Sequence, residues 1–310
     1  MLEKLKRILL LLLGIVIATE LILRLGFGFC DTVLFMSDPD FEYIAQPNQD
    51  RHRFGNHIVY NELSMRAEPI DTYALKILAL GDSVLNGGVL TDQDSLATSL
   101  LSNKLSSQLN RKIQVLNVSA GSWGPDNAYA YLEKFGDFNS RLLVMVFSSH
   151  DYNDNITHEE VVGNHPSYPN KQYPLALLEV IDRDIIPRVN RLLPKDINNS
   201  RSIDNELMIN KNGKNMNTGF EDIVNYANSK NIPLIFFLHP EREELNNGVY
   251  SERGKSIIKF YEDQNIPVIK LLERDYKTSY YRDQIHLNES GQRHLAKVMR
   301  EEILNILENE

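Results

Sequence analysis

Apolar residues fall along this chain in three kinds of run, and their order predicts most of the architecture. The first kind occurs once. Residues 8–23, ILLLLLGIVIATELIL, follow Lys4, Lys6 and Arg7, carry no polar face over 8–19, are interrupted by Glu20 and end at Arg24. That length suits a helix at the short edge of what spans a bilayer, and it equally fits a secretory signal with a basic start and an apolar middle. The second kind is short and rich in branched residues: 77–80, 113–118, 141–147, 232–238 and 266–271. The run 141–147 is continuous enough for a strand buried on both faces of a parallel sheet. The third kind has helical spacing. Leu96, Leu100, Leu101, Leu105 and Leu109 recur on one face, as do Leu295, Met299, Ile303 and Leu307, and helices are also predicted over 127–135, 220–229 and 251–264. Strand and helix therefore alternate from residue 76 to the end, which predicts an α/β fold: a three-layer α/β/α sandwich around a central parallel sheet.

Two stretches stand outside that alternation. Residues 31–75 are punctuated by Pro47, Gly55 and Pro69 and contain the strand-like HIVYNEL, which predicts an extended or hairpin lead-in. Residues 155–215 are rich in Asn, carry Pro166, Pro169, Pro174, Pro187 and Pro194, and hold one apolar run around 175–186. A connection of that length is usually a lid or a binding insertion. The division read from the sequence is thus 1–30 as anchor or signal, 31–75 as lead-in, and 76–310 as one domain with an insertion at 155–215.

Charge and cysteine narrow the picture further. Acidic residues outnumber basic ones by 42 to 33, for a net charge of -9, with no basic block beyond the N-terminus. Nucleic acid is excluded as the main partner, because phosphate binding needs clustered Lys and Arg. The single Cys30 allows no internal disulfide.

The chemistry concentrates at two places. KILALGDSVLNGG, residues 76–88, reads as a buried strand ending in a tight turn that presents Ser83 at its carboxyl end, the edge where ligands bind in open α/β sheets. Near the other end, RDQIHLNESGQRHLA places Asp283 three residues before His286. Read alone, that second stretch is a turn capping the helix that opens near Asn288. With Ser83 it supplies a nucleophile, a base and a carboxylate that holds the base in one tautomer.

Gly81-Asp82-Ser83 and Asp283-x-x-His286 together resemble the first and last blocks of the SGNH (GDSL-type) hydrolase family. The resemblance implies a flavodoxin-like sandwich and a serine esterase with Ser83, Asp283 and His286 as catalytic residues. It implies that Gly121, in SAGSWG after the second strand, helps the Ser83 N–H bind the oxyanion. The third block, Gly-x-Asn-Asp, is altered in SSHDYNDN: His150 takes the place of the oxyanion-binding Asn, with Asn153 as the displaced alternative. A neutral imidazole can still donate one N–H. Asp82 and His239 are expected in the substrate pocket. In membrane-anchored members an Asn and a Gly-Phe-Arg precede the first block; Asn61 and Arg66 match, but Ser64-Met65 replace Gly-Phe, and Arg66 is read as a solvated surface arginine, with reach into the site as the alternative. No metal or organic cofactor is expected, since His150, Asp151, Asp154 and His286 have no diagnostic ligand spacing.

Basic residues before the apolar run and acidic ones after it place the bulk of the chain outside the cytoplasm, anchored through residues 8–24. The expected substrate is an ester, by family analogy an O-acetyl group on an envelope polysaccharide. Two other readings use the same fold: an acyltransferase with the same triad, and a non-catalytic glycan-binding or assembly protein.

Overall fold

The computed structural model describes residues 1–192, 211 and 213–308. Helix α1 spans Leu2–Phe27, and none of its side chains is buried. Two antiparallel hairpins follow: β1 (Phe35–Asp38) with β2 (Glu42–Ala45), and β3 (Gln49–Arg53) with β4 (Asn56–Tyr60). The lead-in is therefore a pair of hairpins. It is also part of the core, because Phe41, Tyr43, Ile44 and Met65 pack into the same apolar cluster as one face of the main sheet.

That sheet holds β5 (Leu75–Gly81), β6 (Ile113–Ser119), β7 (Leu142–Ser148), β8 (Leu234–His239) and β9 (Val268–Lys270), all parallel, in the order β6-β5-β7-β8-β9. Side chains alternate across a strand, so each run supplies two cores at once. Ile77, Ala79, Val144, Val146, Ile235 and Phe237 face one layer, with Leu101 and Leu105 of α3 (Ala97–Gln108) and Leu295, Met299 and Ile303 of the helix Glu289–Glu308. Leu78, Leu80, Leu143, Met145, Phe147, Phe236 and Leu238 face the other, with Tyr131 and Leu132 of the helix Pro125–Phe135, Phe220 and Ile223 of Gly219–Lys230, and Tyr261 of Glu252–Asp263. Burying a side chain of this size is worth roughly 1.5–3 kcal/mol relative to exposure. Apolar residues at consecutive positions are thus what a three-layer sandwich requires.

The chain passes from β5 outward to β6 and then returns to the other side of β5 as β7. This reversal opens a crevice at the carboxyl ends of β5 and β7, where such sheets bind ligands. The described part of the insertion buries Val161 and Tyr168 in the core and then forms three successive helical segments, Ala176–Val180, Ile181–Ile185 and Ile186–Leu192. Most of 193–215 lies outside the described residues.

Candidate active site

Strand β5 runs directly into the nucleophile turn. Gly81 is required there by space: a Cβ would lie 2.8 Å from both Leu85 Cβ and the Val146 carbonyl oxygen. Asp82 caps the short helix α2 (Ser83–Asn86) by accepting the Val84 N–H at 2.8 Å. Ser83 is the first residue of that helix, so its N–H has no intrahelical acceptor and is free for an oxyanion. Asn86 fixes the far end. Its amide donates to the Ser119 carbonyl (2.9 Å), and it accepts from the Tyr60 hydroxyl (3.1 Å).

His286 approaches from a tight loop closed by the Tyr281–Leu287 bridge and by the Arg282 N–H donating to the His286 carbonyl at 2.8 Å. Its Nε2 lies 3.0 Å from Ser83 Oγ, and its Nδ1 lies 2.7 Å from Asp283 Oδ2. The other Asp283 oxygen accepts the N–H groups of Ile285 (2.9 Å) and His286 (2.8 Å). Partial burial works against the Asp283 charge, but these N–H groups and the imidazole outweigh it and hold the carboxyl below its ordinary range. An ionised Asp283 fixes the proton on Nδ1 and leaves Nε2 to accept from Ser83. A stretch that reads alone as a helix cap thus supplies a base and its orienting acid.

Gly121 lines the same cleft as Ser83 and His286, a space of about 410 Å³ that also includes Phe35, Arg183 and Arg282. Its carbonyl accepts from the Tyr43 (3.0 Å) and Tyr168 (2.9 Å) hydroxyls, which fix the loop after β6. Neither tyrosine has a spacing that marks it in the sequence. Arg282 is visible only as the neighbour of Asp283.

His150 lies beside the serine turn but lines a second cavity, with Ser149, Glu241 and Tyr250. Its Nε2 is 3.6 Å from Asp151 and 3.8 Å from Asp82, and its Nδ1 is 3.6 Å from Glu241. All three are ion-pair distances beyond hydrogen-bonding reach, so neither N–H is committed. Desolvation opposes its charge, but the carboxylates of Asp151, Glu241 and Asp82 prevail and raise its pKa, while burial raises those of Asp151 and Asp82 in turn. The cluster favours a protonated imidazole, where a neutral one was expected. Among the described residues, Asp82, His150 and Asp151 also bring three ligand-type atoms within 4.8 Å of one another, as do Asp50, His52 and His57. Asn153 is turned elsewhere, donating its amide to the Gly213 carbonyl at 2.7 Å.

Three expectations need correction. Asp82 is 1% exposed and serves as a helix cap, not as a pocket residue. His239 is wholly buried outside the cleft and contacts the Ile285 carbonyl through Nε2 at 2.9 Å. Burial lowers its pKa to about 4, so it is neutral and that nitrogen donates. Its place is under the base loop. Arg66 neither reaches substrate nor sits in solvent: it is wholly buried, donating to Gln93 (2.9 Å) and to the carbonyls of Gly88 (2.8 Å) and Thr91 (2.9 Å). It braces the loop that follows the nucleophile helix.

The fold and site define a class: a three-layer α/β/α protein with a Ser–His–Asp triad at the carboxyl edge of its parallel sheet. No protein-family model and no curated protein matches the chain. Among solved structures it is similar to a member of the lipolytic protein G-D-S-L family from Veillonella parvula DSM 2008, at 13% identity over 74% of this chain and 97% of that one, TM-score 0.40. It is also similar to the psychrotrophic esterase EstA from Pseudoalteromonas sp., in a structure inhibited by monoethylphosphonate, at 15% identity over 75% of this chain and 98% of that one, TM-score 0.43. A third is a two-domain esterase active on acetylated mannans, at 13% identity over 76% of this chain and 50% of that one, TM-score 0.45.

Proposed function

We propose that this chain is a serine ester hydrolase of the SGNH (GDSL-type) family, tethered to a membrane through residues 8–24 with its catalytic domain outside the cytoplasm. The observation that carries the reading is the relay from Ser83 Oγ to His286 Nε2 (3.0 Å) and from His286 Nδ1 to Asp283 (2.7 Å). In the proposed reaction His286 takes the Ser83 proton as Oγ attacks the ester carbonyl. The N–H groups of Ser83 and Gly121, with the charged His150, stabilise the oxyanion. His286 then protonates the departing alcohol, and a water activated by the same imidazole releases the acid from the acyl-enzyme. No cofactor takes part.

The substrate proposed is an O-acetyl ester on a cell-envelope polysaccharide. A 26-residue helix that contains the apolar run 8–23 and has no buried side chain supports the tether, and a tethered domain outside the cytoplasm meets envelope glycans first. A serine-directed phosphonate tests the mechanism. It should label the full chain and leave Ser83→Ala unlabelled, and Ser83→Ala and His286→Ala should each lose nearly all turnover of a short acetyl ester, because triad members act as a unit. Full turnover by Ser83→Ala would overturn it.

A further inference from the structure

The helical stretch 176–192 of the insertion has two unlike faces. One carries Ala176 and Glu179, both buried, with Glu179 accepting from Arg53 (2.6 Å) and from the Cys30 N–H (2.6 Å). Arg183 and Asp184 of the same stretch line the catalytic cleft. The other face carries Leu178, Ile181, Ile185, Ile186 and Val189, with Leu175 just before them, each 42–48% exposed. Asp182, which falls within that arc, accepts from the Tyr173 hydroxyl. A contiguous apolar stripe of this kind on a monomer marks a surface that meets something apolar.

The position of the stripe says what it meets. Its N-terminal end is fastened to α1: Glu20 accepts the N–H groups of Ala176 (2.8 Å) and Leu177 (3.0 Å), and Arg24 donates to the Pro174 carbonyl (2.6 Å). Glu20 and Arg24 are the charged residues that close the apolar run of α1, so the attachment falls where a spanning helix would leave the hydrocarbon. An amphipathic helix joined at that level has its apolar face at the lipid boundary.

We propose that residues 175–189 form an interfacial helix, seated with Leu178, Ile185 and Val189 in the outer surface of the same bilayer that α1 spans. The inference rests on the anchored reading of α1. Arg183 and Asp184 point away from the stripe, so the docked helix holds the cleft about one helix diameter, ~10 Å, above the lipid surface. Among the described residues of the stretch the exposed polar side chains are Asp182 and Arg188, one acidic and one basic, so docking is apolar and does not require anionic lipid.

The test uses the full chain with Cys30→Ser, reconstituted in phosphatidylcholine vesicles, with one cysteine at a time carrying an environment-sensitive fluorophore: Val16→Cys near the middle of the span, Ile185→Cys or Val189→Cys. Doxyl groups placed shallow or deep on the lipid chains quench by depth. The expected result is deep quenching at 16 and shallow quenching at both 185 and 189. Quenching at 16 with none at 185 and 189 overturns the interfacial helix and leaves the anchor standing. No quenching at any of the three positions removes the anchor, and the docking with it. Phosphonate labelling of each labelled chain reports that Ser83 is still activated, so a misfolded variant is recognised and the second insertion position decides.

Discussion

The two halves of the catalytic relay are held by opposite means. Ser83 sits on a turn surrounded by buried groups: Gly81 admits Leu85 and the Val146 carbonyl, Asp82 and Asn86 tie both ends of the helix, and Arg66 binds the next loop from beneath. His286 and Asp283 sit on a loop with side chains 33% and 47% exposed, shaped by its own backbone hydrogen bonds and by one buried partner, His239. A nucleophile must be presented at one fixed position relative to the oxyanion donors, so its support is dense. A base that receives and returns a proton needs access to water and to the leaving alcohol, and its support is correspondingly local. The lead-in and the insertion contribute Phe35 and Arg183 to the lining of the cleft.

If the nucleophile side is the rigid one, changes there should cost most. The largest expected effect short of the triad is at His150. His150→Ala should lower kcat by about 10²–10³-fold with little change in KM, the usual loss of one oxyanion donor. His150→Asn should recover part of the loss. Because its neighbouring carboxylates raise the pKa of this imidazole above its ordinary value, the wild-type to His150→Ala ratio should not change through the range around pH 6.5 where an ordinary histidine titrates. Asn153→Ala should be mild in kcat, since its amide is spent on Gly213. The reverse ranking would transfer the donor role to Asn153, and two mild results would leave the oxyanion to the N–H groups of Ser83 and Gly121.

Arg66→Met comes next. It strips donors from Gln93, Gly88 and Thr91 inside the protein and should cost about 3 kcal/mol, read as a shift of the unfolding midpoint. A variant with unchanged stability would show that the loop after Ser83 does not depend on this guanidinium.

On the base side the expected effect is smaller and depends on pH. His239 has a folded pKa of about 4 against an ordinary 6.5, so between those values the unfolded chain binds a proton that the folded chain does not. Stability should therefore fall as pH drops from 6.5 towards 4 and gain nothing back below it. His239→Phe should lose about 1–3 kcal/mol at neutral pH by leaving the Ile285 carbonyl unpaired. It should also show a shallower acid dependence than wild type. Parallel acid curves for the two proteins would mean that His239 is not the group that titrates under the loop.

Hydrophobic pattern alone determined the sheet, its flanking helices and the apolar first helix, because burial on both faces of a parallel sheet writes continuous apolar runs into the chain. Ser83 was legible from the strand and tight turn that present it, whereas Asp283 and His286 read locally as a helix cap and were singled out only beside Ser83, and Gly121 only through the resemblance of the sequence blocks. What only the tertiary structure decided was every role that depends on a partner distant in sequence. Arg66 reads as a surface residue until Gln93 and the Gly88 and Thr91 carbonyls surround it. His239 reads as a pocket residue until the Ile285 carbonyl meets it. His150 reads as a neutral donor until Asp82 and Glu241 come in from two remote segments to join its neighbour Asp151. Charge state and burial are properties of what surrounds a side chain, and that set is chosen by the packing of elements remote along the chain.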